Sequence, residues 1–227
     1  MTNATEVVLP PLDADSLKAR FKKRCADTNN VYQNWQIRVH RSLSWLKRAA
    51  QFNDEQREAK FLFLWIALNS LYSRWNAGNN APDYDSASRD DFFAKVFQMD
   101  PMLLAEKLRR HRGLVKKILS DPYLAEVFWR QPDHPKAKGW ATEDSNYIDR
   151  NFKDQNYCKV LTQVMHRLFV LRGQLVHGAS TGGSRLNRSS LRYCLELLSI
   201  FVPLIQHIVI EHGCGDGWQE LCYPPQR

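Results

Sequence analysis

The sequence predicts an all-α fold, a bundle of long antiparallel helices with extra peripheral helices. Three features carry that expectation. Apolar residues recur at i, i+3/i+4 and i+7 in several long runs. One run, Phe61 to Leu68, is apolar on every side, as suits a helix surrounded by others. No stretch alternates apolar and polar residues for long enough to make a strand, and there is no internal repeat or low-complexity tract.

Residues 1–30 read as an N-terminal arm, loose through Leu9-Pro10-Pro11, and a short basic helix from Asp15 to about Ala26. A helical domain is expected over 31–213 and a tail over 214–227. Val31 to Gln51 is helix-periodic, with a stripe of Trp35, Val39, Ser42/Leu43, Leu46 and Ala50. Asn53-Asp54 offers an N-cap ahead of Glu55 and Glu58, acids placed where the helix dipole favours them. The central apolar helix follows. Asn76 to Ser88 carries turn chemistry and predicts a loop. Helices are expected at Asp90 to Gln98 and at Pro101 to Leu119, where Pro101 suits a first turn, and another runs from Pro122 to about Arg130. Residues 131–154, with Pro132, Pro135 and Gly139, predict a loop insertion. Two long helices close the domain. Gln155 to His177 carries Leu161, Val164/Met165, Leu168, Leu171 and Leu175. Asn187 to His212 carries Leu191, Cys194/Leu195, Leu198, Phe201/Val202, Ile205 and Ile208/Val209, and Gly178 to Ser184 form a small-residue turn between the two.

A chain of 227 residues can bury a sizeable core. Its formal charge of +8 favours a polyanionic partner, although a surface with spare lysines accounts for the same number. Cys25, Cys158, Cys194, Cys214 and Cys222 are odd in number and scattered, and no secretory apolar segment follows Met1. Reduced thiols in a cytoplasmic compartment are expected. No apolar run is read as reaching the roughly 20 residues of a membrane span, so no membrane partner is expected.

The chemistry concentrates in Arg172-Gly173-Gln174-Leu175-Val176-His177-Gly178. A permanent cation, a group that titrates near neutral pH and a helix-ending glycine are equipment for acid–base work beside a phosphate. Arg172 lies at the edge of its helix's apolar stripe, where it needs either an ion-pair partner or a cleft. His177 reads equally as a capping histidine or a catalytic one. Five residues of ideal helix turn through about 500°, so the two side chains point roughly 140° apart. A distortion at Gly173, a long reach by Arg172 or a second copy of the protein would each bring them together. Asn69, polar within an apolar helix, is a candidate to orient either residue, or a buried amide bonded to backbone.

Two basic stretches are candidates for nucleic-acid contact. One is Arg109, Arg110 and Arg112, continued by Lys116 and Lys117; the other is the helix face of Arg38, Arg41, Trp45 and Arg48. Cations interleaved with an aromatic suit single-stranded nucleic acid, and equally suit a solvated face. Cys214, Cys222, His207 and His212 match no zinc spacing. No glycine-rich phosphate loop follows a strand, and no strand-to-helix nucleophile elbow is expected. Cys158 and Cys194 sit on apolar faces as small hydrophobes, and Asp83, Asp85, Asp90 and Asp91 read as a polar loop leading into a helix rather than a metal site. No cofactor is called for. Long helices argue against a helix-turn-helix regulator of DNA.

With these residues in view, the chain resembles the HEPN superfamily, close to its Apea-like branch. The resemblance rests on the Arg-x4-His of Arg172 and His177 followed by Gly178 at the end of a long apolar helix, on the helix that follows directly, and on the buried run Phe63 to Tyr72. Together these cover roughly Trp35 to His212. The resemblance implies a HEPN-like bundle and a metal-independent endoribonuclease that needs no cofactor. It implies a homodimer in which two Arg-x4-His motifs face each other, so that Arg172 and His177 need not converge within one chain. Many members are toxins or defence effectors held in check by a regulatory protein such as an antitoxin, and others keep the fold as non-catalytic dimerisation or nucleotide- and partner-binding modules. In active members the residue after the motif's arginine is often Asn, Asp or His; here it is Gly173.

Overall fold

The computed structural model describes residues 9–179 and 188–224. The first eight residues of the expected arm and most of the small-residue turn, residues 180–187, lie outside the described residues. The fold is all-α apart from one small hairpin. Its helices are α1 (Ala14–Asp27), α2 (Gln33–Ala49), α3 (Arg57–Tyr72), α4 (Asp85–Met99), α5 (Pro101–Arg110), α6 (Arg112–Leu119), α7 (Glu126–Arg130), α8 (Ala137–Ala141), α9 (Ser145–Lys153), α10 (Tyr157–Val176) and α11 (Arg188–His212), with a 3-10 turn at Pro122–Leu124.

The long helices form where the apolar stripes lie. Along α2 the stripe buries Trp35, Val39, Ser42, Leu43, Leu46 and Ala49, whereas Ala50 is exposed. The pair α2/α3 is antiparallel. Proceeding along α2, Arg38 donates to Leu71 O, Ser42 Oγ to Ala67 O at 2.6 Å, and Trp45 stacks on Phe63 at 5.3 Å. Helix α11 packs on α3, α2, α1, α6 and α4. By length and composition α11 could cross a membrane, contrary to the expectation from sequence, but 72% of its apolar window is buried inside the fold. Pro203 sits within it, leaving the carbonyl of exposed Ser199 without a helical donor. Helix α6 packs against both α10 and α11.

Several boundaries differ from expectation. Helix α1 starts on the side chain of Asp13, which accepts from the backbones of Asp15 and Ser16, and buries Leu17 and Phe21 in the main core; Leu9 and Leu12 pack there too. The arm's end and α1 are therefore continuous with the domain. Asn53 accepts from the Glu55 N–H in a turn before α3, which begins at Arg57 after Gln56. The 76–88 loop holds an antiparallel hairpin, β1 (Trp75–Asn76) and β2 (Ala81–Pro82), and α4 begins already at Asp85. The expected helix over 101–119 breaks at His111 (φ −102°, ψ 21°), so that Leu104 and Leu108 of α5, and Val115 and Ile118 of α6, all face inward.

Residues 131–154 are not a bare loop. They form α8 and α9, which bury Ala137, Ala141, Ile148 and Phe152. Likewise the tail carries two buried side chains, Trp218 and Leu221, and Trp218 belongs to the main core.

Candidate functional site

The end of α10 is open and well defined. His177 is the C-cap and donates its backbone N–H to Gly173 O at 3.0 Å. Gly178 adopts φ 68°, its N–H reaches Leu175 O at 3.4 Å, and the Ala179 N–H reaches Gln174 O at 2.9 Å. This pair of bonds is a Schellman closure, and the left-handed Gly178 is what permits it. The His177 side chain is exposed. Arg172 is half-buried one turn after Phe169, which packs against Trp65 at 6.1 Å between ring centroids. Neither Arg172 nor His177 makes a side-chain hydrogen bond or ion pair with another described residue.

The helix is regular through Gly173, so no distortion turns Arg172 toward His177. Among the described residues nothing lies within 4 Å of where a Cβ on Gly173 would be, and the neighbouring Val176 is 51% exposed. No described residue covers this face of α10.

Asn69 bonds at the end of its own helix. Its Oδ1 accepts from Ser73 Oγ at 2.8 Å, and the same hydroxyl caps Asn69 O. It lies in the last turns of α3, near the C-terminal half of α11, since Gln206 bonds Ser42 and Ser42 bonds Ala67 O. His177 lies toward the start of α11, where Gln174 bonds Tyr123 O and Ser190 bonds Asp121, while Arg172 is one turn beyond the Trp65–Phe169 contact. Among the described residues Asn69 makes no hydrogen bond to Arg172 or His177, and its side chain is engaged by Ser73.

On the α2 face, Arg38 and Arg41 are engaged within the fold, whereas Arg48 stays exposed. Arg38 is 2% exposed, and its guanidinium donates to the carbonyls of Leu71, Ser73, Gln219 and Glu220 while lying over the Trp218 ring. Burial pushes its pKa down to about 10, so it stays charged at neutral pH. Arg41 donates to Cys222 O and Tyr223 O at 3.2 and 2.8 Å. Trp45 is half-buried on Phe63, and exposed Arg48 bonds Gln51. Two of these cations hold the tail, whose largely irregular backbone needs donors from side chains.

The α5–α6 stretch keeps more of its charge outward. Arg109 and Arg110 are exposed. Arg112 and Lys116 share Asp149 of α9 at 2.5 and 2.6 Å, and Arg112 covers Phe152, so this pair fastens α9 to α6. Lys117 Nζ lies 5.0 Å from the Tyr193 ring of α11, whose other neighbour is Arg192 at 4.9 Å. Since α6 runs toward Asp121, this basic and aromatic pairing lies toward the bundle end that carries His177.

Sequence reasoning missed a second polar cluster on α10. Arg89 of α4 is 1% exposed, bonds Asp90 at 3.1 Å, covers Phe169 at 5.0 Å and approaches His166 Nδ1 at 3.3 Å. His166 Nε2 lies 3.7 Å from Glu126 at the start of α7. Burial first, then Arg89, lowers the His166 pKa below the usual histidine range. The signal was spacing: eleven residues turn through about 1,100°, so His166 and His177 share a stripe of α10 to within about 20°. Compared with protein-family models, curated proteins and solved structures, the chain matches none, so the meaning of this helix end rests on its own chemistry.

Proposed function

We propose that the protein is an endoribonuclease of the HEPN type that cuts RNA without a metal, acting as a homodimer through the open end of α10. The observation that supports it is the pair Arg172 and His177, a cation and an imidazole without side-chain partners among the described residues, at the solvent-facing end of an otherwise buried helix. Structural cations in this fold find partners, as Arg38 and Arg167 do. Arg172 finds none among the described residues.

RNA carries its own nucleophile. The 2′-hydroxyl attacks the adjacent phosphorus, the bond to the 5′-oxygen breaks, and the products are a 2′,3′-cyclic phosphate and a 5′-hydroxyl. One His177 accepts the 2′ proton and the other protonates the departing 5′-oxygen, a division worth about 10² to 10⁴ in rate per group. Arg172 meets the negative charge that grows on the phosphoryl oxygens, where its fork binds two atoms at once. Two copies related by a twofold axis supply both histidines. The uncovered Gly173 face and exposed Val176 are where the second copy would sit.

The test is cleavage of a generic RNA by purified protein in EDTA. Wild type leaves 2′,3′-cyclic ends, and His177→Ala loses at least about a hundredfold in rate with an unchanged melting temperature. Full activity in the alanine variant would refute the assignment. A second reading, a non-catalytic dimerisation module, is favoured by the same uncovered face and predicts a dimer that leaves RNA intact.

A further inference from the structure

We infer that the α7–α8 corner is a stacking platform for an unpaired RNA base, placed to hold the strand whose phosphate meets Arg172 and His177. The inference rests on the proposed function, and it adds a binding site and a substrate form, single-stranded RNA.

Two tryptophans face solvent. Trp129 of α7 is 45% exposed and Trp140 of α8 is 49%, whereas Trp35, Trp65 and Trp218 are buried. The inner faces of these short helices already make a small core of their own, Ala125, Phe128, Ala137 and Ala141, with Tyr123 packed against it. Trp129 packs edge-on against Phe128 at 5.0 Å, yet that contact leaves nearly half of it exposed, and an exposed aromatic face is what an unstacked base needs.

The corner is fastened to α10 at two levels. Glu126 approaches His166, and a single carbonyl, Tyr123 O, accepts from both Trp129 Nε1 at 2.9 Å and Gln174 Nε2 at 2.6 Å. Trp129 and Gln174 therefore meet on one oxygen, and Gln174 lies one turn before His177 on the same helix. The exposed indole stands beside the proposed cutting pair. Trp140 already takes a flat ring on its face, with His134 stacked at 4.1 Å and 30°. Lys138 lies 5.6 Å from the Tyr123 ring and Lys136 is exposed, so cations flank the aromatics. Flat aromatic faces interleaved with cations bind unstacked bases and the phosphates between them, and a duplex, whose bases are stacked on one another, offers no face to the indole.

The probe is a short unstructured RNA carrying 2′-O-methyl groups, which removes the nucleophile so that binding is read without cleavage. Anisotropy and tryptophan quenching should show single-strand binding that Trp129→Ala weakens about tenfold and Trp129→Phe largely keeps. Lys136→Glu with Lys138→Glu, both on the surface, should also weaken binding and lower its salt dependence, which guards against a misfolded tryptophan variant. Binding of the matching duplex should be indifferent to Trp129. Unchanged affinity in Trp129→Ala and in the lysine pair, equal preference for duplex, or no RNA binding at all overturns the platform; the last outcome leaves the exposed indoles to a protein partner. The two readings fail separately. Unmethylated RNA cut by wild type with affinity indifferent to Trp129 removes the platform and keeps the nuclease, whereas Trp129-dependent binding without cleavage does the reverse.

Discussion

Arg38 shows how one side chain can carry opposite meanings. In the sequence it stands at i+3 from Arg41 on a basic face, and its charge points to water or to a phosphate. In the fold it is the common donor for the end of α3 and for the tail, which otherwise meet, among the backbone hydrogen bonds of the described residues, only in the Arg74–Leu221 bridge and its Trp75 N–H to Glu220 O bond. Removing it leaves the buried Leu71 carbonyl without this donor, a cost of about 1–3 kcal/mol, and takes a donor from three part-buried carbonyls besides. Arg38→Met should therefore destabilise the protein by about 3 kcal/mol or more and free residues after Gly213 to protease, measured by urea unfolding and limited proteolysis. A loss under about 0.5 kcal/mol would mean that water satisfies those carbonyls. The sequence names the donor and is silent about the acceptors, which lie more than 180 residues away for Glu220. Arg172 was legible for a complementary reason, because its position at the edge of a long stripe is a local property.

At the scale of elements, legibility followed length. Helices α2, α3, α10 and α11 each hold several turns of apolar stripe, and their reading from sequence was right to within a few residues, with α11 described from Arg188. Helices α8 and α9 bury their apolar residues over one to three turns, too short for a period to rise above the prolines and glycine around them. The break at His111 was hidden because Leu104, Leu108 and Val115 would suit one continuous helix equally well. The basic stretch divides by task. Arg112 and Lys116 are held by Asp149, while Arg109 and Lys117 face outward. Reversing Arg109 and Lys117 together should flatten the salt dependence of single-strand RNA binding by about 0.7 per lost phosphate contact, read as the slope of log affinity against log salt. Arg112→Glu should instead loosen α9, with a lower melting temperature. An unchanged slope in the first variant would take α5–α6 out of the RNA path.

For the whole molecule, the buried helices account for the fold, and the uncovered part of α10 is what they leave over. Its regular geometry keeps Arg172 and His177 on different sides of one helix, while Gly173 and Val176 offer a face for a second helix to approach. None of this was legible as a surface before the fold existed, because exposure at Val176 depends on which neighbours stop short of it. The proposed second helix is the same helix from another copy. Sedimentation equilibrium at the protein concentration that cuts RNA tests this most directly. The predicted mass is that of two copies of the 26.5 kDa chain; a single-copy mass under conditions where RNA is still cut would contradict it.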